Sequence, residues 1–234
     1  MVERLKVMLV DDEDSIRKII EHLIQKEGYD FCYAADGEKA LQMFTRENPD
    51  LIILDVMLPE IDGFEVCRRI RLDSVVPIIL LSAKGDIVDK SVGFNMGADD
   101  YITKPFSPVE LALRMKAMFR RVAFKKESES SQENKDCIVV KELEINNKSF
   151  EVNVRGEKVD LTPKEFELLS FMANHPGQVF TRKQLFDNLW EGKYLGDSGT
   201  ITVFIRKIRE KIEPTPGHPE YILTVWGVGY KFCC

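Results

Sequence analysis

Several features that would identify a membrane, secreted or zinc-binding protein are missing from this sequence. No run approaches the roughly 20 apolar residues of a transmembrane helix, and the four apolar residues after MVERLK are too few for a signal peptide. The five cysteines form no CxxC pair and the three histidines stand far apart, which predicts reduced thiols and no zinc site. We therefore expect a cytoplasmic protein with no membrane partner.

Charge is distributed unevenly along the 234 residues. The formal net charge is −6, and the acidic excess lies wholly before residue 137, because the remainder carries equal numbers of acidic and basic residues. The segment 122–136, VAFKKESESSQENKD, is rich in charge and serine and poor in large apolar groups, which is typical of a flexible linker. We therefore predict domains at 1–121 and 137–234, joined by this linker.

The first 121 residues alternate apolar runs with amphipathic helical patterns. The predicted strands are 5–10, 31–35, 50–55, 77–82 and 100–103, and the predicted helices are 15–27, 37–47, 64–72, 87–96 and 108–121. Three of the strands are unbroken apolar runs, as expected when helices cover both faces of a sheet. Five strand–helix units in this order predict an α/β domain with a doubly wound parallel sheet.

Acidic residues follow two of these strands. Asp11 and Asp12 come directly after the first strand, and Asp55 ends the third. Ligands of doubly wound sheets bind at the carboxyl ends of the strands where the strand order reverses, so we expect the three carboxylates to meet in one crevice. Unpaired, they would repel each other and raise each other's pKa. Mg²⁺, which prefers oxygen ligands, resolves that conflict, and the sequence therefore predicts a magnesium site.

Two further polar residues are expected at the same edge of the sheet. Ser82 ends the fourth predicted strand, and Lys104 follows the fifth, ahead of Pro105, whose preceding peptide bond is a candidate for the cis form. A hydroxyl and an ammonium beside Mg²⁺ suit an incoming phosphoryl group. Each residue alone has a simpler interpretation, as a helix cap, a turn residue or a surface charge. The hypothesis therefore depends on the ordered set.

The motifs LVDDE, LDVMLPEIDG, LLSAK and GADDYITKPF together resemble the receiver domain of bacterial two-component response regulators over residues 4–121. The resemblance implies a flavodoxin-like five-stranded sheet in the order 2-1-3-4-5, and a phosphohistidine on a sensor histidine kinase as phosphoryl donor. The Mg²⁺ ligands that it implies are Asp11 (through water), Asp12, Asp55 and the main-chain carbonyl of Met57. The residues that it implies in phosphoryl transfer and switching are Asp55 as phosphoacceptor, Ser82, Lys104 and Tyr101, whose ring would turn inward on phosphorylation.

The same resemblance implies a homodimer that forms on phosphorylation. Its interface would be the helix predicted at 87–96, the strand at 100–103 and the helix at 108–121. The charged residues that we expect in cross-dimer salt bridges are Lys90, Asp99, Asp100, Glu110, Arg114 and Arg121. The alternative is that these residues are ordinary solvated charges.

From residue 137 onward the pattern becomes α+β. Short strands are predicted at 137–140, 143–146, 149–154 and 158–161, helices at 163–174, 181–190 and 197–213, and a hairpin at 221–232. The segments LTPKEFELLSFMANHPGQVFTRKQLFDNLW and TVWGVGYKF resemble the winged-helix effector domain of the OmpR/PhoB class over residues 138–232. The resemblance implies promoter DNA as a partner, bound at tandem half-sites, and RNA polymerase as a further candidate partner.

A polar and basic face on the helix predicted at 197–213 suits the DNA major groove. The residues assigned to DNA contact lie on this helix, at the start of the preceding helix and in the hairpin: Thr181, Arg182, Thr200, Thr202, Val203, Arg206, Lys207, Arg209, Trp226, Gly229 and Tyr230. The chain departs from many relatives in having Gly199 and Trp226 where they carry arginine, and Phe204 where histidine is frequent. Trp226 could insert into the minor groove, pack on sugar or fill the core, and we favour the core.

The leading hypothesis is a phosphorylation-activated, sequence-specific DNA-binding regulator of transcription that is not an enzyme. The alternative is a Mg²⁺-dependent phosphohydrolase with Asp55 as nucleophile. Such hydrolases need a second acid two residues after the nucleophile, where this chain has Met57. A phosphate-independent DNA-binding regulator is a third hypothesis, and the complete acidic pocket disfavours it.

Overall fold

The parallel sheet predicted for the first part of the chain is present. The computed structural model describes residues 4–83, 87–127, 137–190 and 199–233, without the side chains of 87–91 and 120–127. The chain divides into two units, Met1–Val122 and Ala123–Cys234, and each is described by itself below. No helix among these described ranges is both long enough and apolar enough to cross a membrane.

Strands and helices alternate throughout the first unit. They are β1 (Lys6–Val10), α1 (Asp14–Lys26), β2 (Asp30–Ala34), α2 (Gly37–Glu47), β3 (Leu51–Asp55), α3 (Gly63–Asp73), β4 (Ile78–Ser82), α4 (Ile87–Met96), β5 (Asp100–Thr103) and α5 (Pro108–Glu127). The strands form one parallel sheet in the order β2-β1-β3-β4-β5, which confirms the predicted fold class and strand order.

The strands of this unit are buried, and they end side by side at one edge of the sheet. Every residue of β3 and β4 is buried, because helices cover both faces of the sheet. Helix α1 places Ile20, Leu23 and Ile24 in the interior at helical spacing. In the β1–β3 pair Val10 lies opposite Leu54, so the residues that follow each strand emerge side by side at one edge of the sheet.

The start of the predicted linker differs from the prediction. Helix α5 extends to Glu127, so the first six residues of the predicted linker 122–136 are helical. Alanine, lysine and glutamate within this stretch are good helix formers, and they allow the helix to continue past the last buried turn. Residues 128–136 lie outside the described residues, and the flexible linker stays a prediction for them.

The second unit is α+β, as expected. Its elements are β6 (Cys137–Val140), β7 (Leu143–Asn146), β8 (Glu151–Val154), β9 (Glu157–Val159), α6 (Pro163–Ala173), β10 (Val179–Thr181), α7 (Arg182–Trp190), α8 (Gly199–Ile212), β11 (Ile222–Val225) and β12 (Gly229–Phe232). The first four strands form an antiparallel sheet in sequence order, and the last three form a sheet in the order β10-β12-β11.

Strand β10 was not predicted from the sequence. Its three residues are too few to show an alternating pattern, and the sequence analysis assigned Thr181 to the start of a helix. Phe180 is buried and lies opposite Tyr230 of β12, and Thr181 caps the helix that follows, because its hydroxyl accepts a hydrogen bond from the Gln184 N–H. The strand therefore joins α7 to the β11–β12 hairpin, called the wing below.

Candidate functional site

Three carboxylates meet at the carboxyl edge of the parallel sheet. Asp11 and Asp12 follow β1 and Asp55 ends β3, and one oxygen from each side chain lies within 4.8 Å of the others. Asp11 and Asp55 are buried, whereas Asp12 is exposed. The structure therefore brings together the three acids that the sequence predicts to share one crevice, and Asp12 leaves that crevice open to solvent.

Lys104 forms ion pairs with both buried acids. Its Nζ lies 2.9 Å from Asp11 Oδ2, 2.9 Å from Asp55 Oδ2 and 3.2 Å from Glu13 Oε1. Burial lowers the pKa of Lys104, but hydrogen bonds to Asp11 and Asp55 outweigh it and hold that pKa above its ordinary value. Burial raises the pKa of Asp11, and the hydrogen bond from Lys104 opposes the rise. The ammonium is thus held charged between two acids.

The neighbouring strands position the remaining predicted residues of the pocket. Ser82 is 1% exposed, and its carbonyl oxygen accepts a hydrogen bond from the Lys104 N–H at 2.7 Å. The peptide bond between Lys104 and Pro105 is cis. Tyr101 on β5 is 2% exposed, so its ring already lies inward in this structure. Ser82 and Lys104 are therefore neighbours at the carboxyl edge of the sheet, beside the ends of β4 and β5, and Tyr101 is buried within β5.

Two supports of the pocket were missed by the sequence analysis. The Tyr33 hydroxyl donates a hydrogen bond to the Asp11 carbonyl oxygen at 2.9 Å, and the Arg17 guanidinium lies 4.5 Å above the Tyr33 ring. A Cβ atom on Gly63 would lie only 2.0 Å from the Asp55 carbonyl oxygen, so only glycine fits at the start of α3. The glycine could have been found from its place in LDVMLPEIDG, whereas no sequence signal marks Tyr33.

The donor set of this pocket fits Mg²⁺. Asp11, Asp12 and Asp55 offer only carboxylate oxygens, which are the ligands that this hard cation prefers. The Met57 N–H lies 3.3 Å from Asp55 Oδ1, so the main chain at Met57 borders the cluster, and its side chain is 59% exposed. These three aspartates would hold the ion here.

The structure corrects one residue of the predicted dimer face. Asp99 is fully buried, and its Oδ2 accepts hydrogen bonds from Arg71 Nη2 at 2.8 Å and from the Ile78 N–H at 3.0 Å. A side chain with no exposed surface cannot pair with a second chain in this conformation. The partner Arg71 belongs to α3, so Asp99 ties α3 to the start of β4 and to β5.

The other described charges of that face pair within the chain. Arg114 Nη1 lies 2.7 Å from Asp100 Oδ2, and its Nη2 lies 2.8 Å from Glu110 Oε1. Asp100 is 4% exposed, whereas Glu110 is partly exposed on α5. The side chains of Lys90 and Arg121 lie outside the described residues, and their predicted roles stay predictions.

The residues predicted to contact DNA separate into an exposed group and a buried group. The exposed or half-buried members are Thr181, Arg182, Thr202, Val203, Arg206, Lys207, Arg209 and Trp226. Thr200, the second residue of α8, is 2% exposed, and Tyr230 is 4% exposed. Gly229 is buried too, since a Cβ there would lie 2.0 Å from the Phe180 carbonyl oxygen. These three residues are therefore supports of the surface rather than parts of it.

Trp226 corrects the interpretation favoured from the sequence. It was expected to fill the hydrophobic core, but its side chain is 90% exposed at the tip of the wing. The next residue, Gly227, has a φ of +76°, a left-handed turn conformation that glycine adopts without strain. This turn carries Trp226 away from the core, together with Val228, which is 47% exposed.

Comparisons with known proteins agree with the folds of both units. Residues 7–116 match the response regulator receiver domain, and residues 156–232 match the C-terminal domain of transcriptional regulatory proteins. The response regulator DrrB, an OmpR/PhoB homologue from Thermotoga maritima, is 33% identical over 99% of this chain and 100% of its own, with a TM-score of 0.52. A mutant of RitR is 27% identical over 97% of this chain and 98% of its own, with a TM-score of 0.69.

Proposed function

This chain belongs to the OmpR/PhoB class of response regulators, and from that premise we propose that phosphorylation of Asp55 by a sensor histidine kinase controls its binding to promoter DNA. Members of the two matched families are response and transcription regulators rather than enzymes. The observation that carries the proposal is the position of Lys104 Nζ, 2.9 Å from both Asp11 and Asp55. That arrangement leaves a nucleophilic carboxylate beside a cation that can receive a phosphoryl oxygen.

The proposed reaction transfers a phosphoryl group from nitrogen to oxygen. An Asp55 carboxylate oxygen attacks the phosphorus of a phosphohistidine, the O–P bond forms as the N–P bond breaks, and the histidine nitrogen leaves with the electron pair. Lys104 shifts its hydrogen bond from Asp55 to a phosphoryl oxygen, and the Ser82 hydroxyl donates to another. Asp12, Asp55 and the Met57 carbonyl, with Asp11 acting through water, would hold Mg²⁺, which would supply neutralising charge to the phosphoryl oxygens.

The proposed output is a dimer of the first unit. Phosphorylation shifts a pre-existing equilibrium towards a state in which Ser82 bonds the phosphoryl group and Tyr101 lies inward. The face on α4, β5 and α5 then associates through Asp100, Glu110 and Arg114, with Lys90 and Arg121 as further members. Since Arg114 already bonds Asp100 and Glu110 within its own chain, dimer formation exchanges or shares existing ion pairs.

The proposed DNA contact uses α8 and the wing of the second unit. Thr202, Val203, Arg206 and Lys207 offer a polar, partly basic helix face that suits the major groove, and two copies would occupy tandem half-sites. Thr181 and Arg182, exposed at the start of α7, suit a backbone phosphate. Support comes from the exposure of these groups and from the matched DNA-regulatory domain.

The proposal is tested with acetyl phosphate and MgCl₂ on the full chain. We expect intact-mass spectrometry to show one phosphoryl group on the wild type and none on Asp55→Asn. Asp14→Asn is the matched control, because Asp14 is an exposed acid beside the pocket but outside the carboxylate cluster, and it should be phosphorylated normally. Dimer mass and genomic footprinting are then measured on the same samples. Phosphorylation of Asp55→Asn, or unchanged DNA affinity of the phosphorylated wild type, would refute the proposal.

A further inference from the structure

The end of α8 holds the outer edge of the wing through a carboxylate. Glu213, directly after the last residue of α8, is 7% exposed and accepts hydrogen bonds from three successive backbone N–H groups. The donors are Glu220 at 2.6 Å, Tyr221 at 3.0 Å and Ile222 at 2.9 Å. The carboxylate thus fixes the chain at the point where it enters β11.

A guanidinium one helical turn earlier holds the same strand by its carbonyl groups. Arg209 donates from Nε and Nη2 to the Ile222 carbonyl oxygen at 3.0 and 2.6 Å, and from Nη2 to the Thr224 hydroxyl at 2.9 Å. β11 is an edge strand, and the N–H and C=O of Ile222 point away from its partner β12 towards α8. Arg209 and Glu213, spaced four residues apart, therefore satisfy both backbone groups of one residue.

The second strand of the wing is also tied to α8. The Tyr230 hydroxyl on β12 lies 3.3 Å from the Thr202 hydroxyl, and the Arg209 guanidinium lies 5.7 Å from the centre of the Tyr230 ring. Arg209 is therefore enclosed by β11 on one side and by an aromatic ring on the other. Its Nε and Nη2 donors are used inside the unit, and the residue is half-buried.

We propose that Arg209 and Glu213 are positioning residues that fix the wing on α8 and so set the spacing between the helix and the wing tip on DNA. This inference rests on the proposed DNA binding of the second unit, and it changes the role of Arg209 from a predicted DNA contact to an internal clamp. Arg206, on the same helix, provides the contrast. Its side chain is 78% exposed and pairs with Glu210 at the surface, so a DNA phosphate could reach it.

The first test needs no DNA and uses Trp226 as a reporter at the wing tip. In a Trp190→Phe background Trp226 is the sole tryptophan, and its fluorescence anisotropy decay reports the mobility of the wing. We expect Glu213→Gln and Arg209→Met to increase the amplitude of fast motion in protein that remains folded by circular dichroism. Thr224→Val, which removes only the bond to the Thr224 hydroxyl, should give a smaller increase, and Arg206→Gln should give none. Unchanged mobility in both clamp variants would overturn the inference.

The second test is the salt dependence of DNA binding. The plot of log affinity against log salt has a negative slope, and loss of one phosphate contact reduces its magnitude by about 0.9. Arg206→Gln should therefore reduce the magnitude of the slope, and Arg209→Met should not. Glu213→Gln removes a negative charge and would raise affinity if charge alone mattered, but we expect roughly a tenfold loss because the wing is displaced. A slope of smaller magnitude for Arg209→Met, or tighter binding by Glu213→Gln, would contradict the clamp. If the wild type bound no DNA, the proposed function would fail while the anisotropy test still decided the clamp.

Discussion

The two candidate sites of this chain use charge in opposite ways. In the first unit Asp11, Asp55 and Lys104 are largely shielded from solvent and form ion pairs with each other, whereas Arg182 and Arg206 of the second unit are exposed. A buried charge is strongly destabilising once its partner is removed, while an exposed charge adds little to stability until a ligand arrives. Substitutions should therefore change stability and function together in the first region, and binding alone in the second.

The largest effect on stability in the first unit is expected for Arg71→Ala. The Arg71 side chain is 11% exposed and its partner Asp99 is fully buried, so the substitution removes the guanidinium that is bonded to a buried carboxylate. We expect the free energy of unfolding of the first unit to fall by about 3–5 kcal/mol. Denaturant-dependent hydrogen exchange of the β4 and β5 amides measures this unit by itself.

Arg68→Ala is the control for that substitution. Arg68 also pairs with an acid, Glu65, but on the solvent-exposed face of α3. Its loss should scarcely change the exchange of the same amides. Equal effects of the two substitutions would show that burial does not separate these ion pairs.

A smaller effect on stability is expected for Lys104→Met. The substitution leaves Asp11 and Asp55 without the shared ammonium, and we expect a loss of about 2 kcal/mol in Mg²⁺-free buffer. Mg²⁺ should then stabilise the variant more than it stabilises the wild type, because the cation no longer competes with Lys104 and a tighter ligand shifts unfolding further. Thermal unfolding with and without MgCl₂ measures both effects. The same Mg²⁺ response as in exposed Lys18→Met would contradict this account.

Trp226→Ala tests the second unit, where exposed groups are expected to affect binding but not stability. Because the side chain is 90% exposed, we expect the melting temperature to stay unchanged. Affinity for target DNA should fall by roughly fivefold, or about 1 kcal/mol, because an aromatic group at the wing tip is lost. Val139→Ala, at an exposed apolar residue of β6, is the matched control and should leave both unchanged. A large loss of stability in Trp226→Ala would show that the tip is part of the core.

Cysteine alkylation compares a shielded thiol of the first unit with an exposed thiol of the second, without any substitution. Burial raises the pKa of the Cys32 thiol in β2 to about 11, whereas Cys137 at the start of β6 is exposed. Because the thiolate is the reactive form, we expect iodoacetamide at pH 8 to modify Cys137 first. Cys32 should react faster as the pH rises towards 11. Peptide mass spectrometry follows both sites, and equal rates at pH 8 would contradict the shielding of Cys32.

The pocket could be predicted from the sequence because one rule of topology is enough to assemble it. All carboxyl ends of a parallel sheet lie at the same edge, so Asp55 and Lys104 converge whatever the details of side-chain packing. Asp99 could not be placed this way. Its burial depends on Arg71, a residue 28 positions away on a helix whose rotation the sequence does not specify.

The DNA-contact surface was harder to predict for a related reason. Helical periodicity assigns Thr200 and Thr202 to different faces, but it does not say which flank of the apolar stripe the neighbouring hairpin covers. Tyr230 is inside and Trp226 outside because the turn at Gly227 reverses the chain between them. Similarly, Arg209 appears as one more basic residue until the backbone groups of β11 are found around it.

The close approach at Gly229 has a consequence for control. Since a Cβ there would lie 2.0 Å from the Phe180 carbonyl oxygen, β12 is fastened to the strand that leads into α7, while α8 holds β11. The surface proposed to bind DNA would consequently be one rigid body. Under the proposed function, control would then come from the number of linked copies rather than from a change of shape, because two linked copies bind more tightly than one.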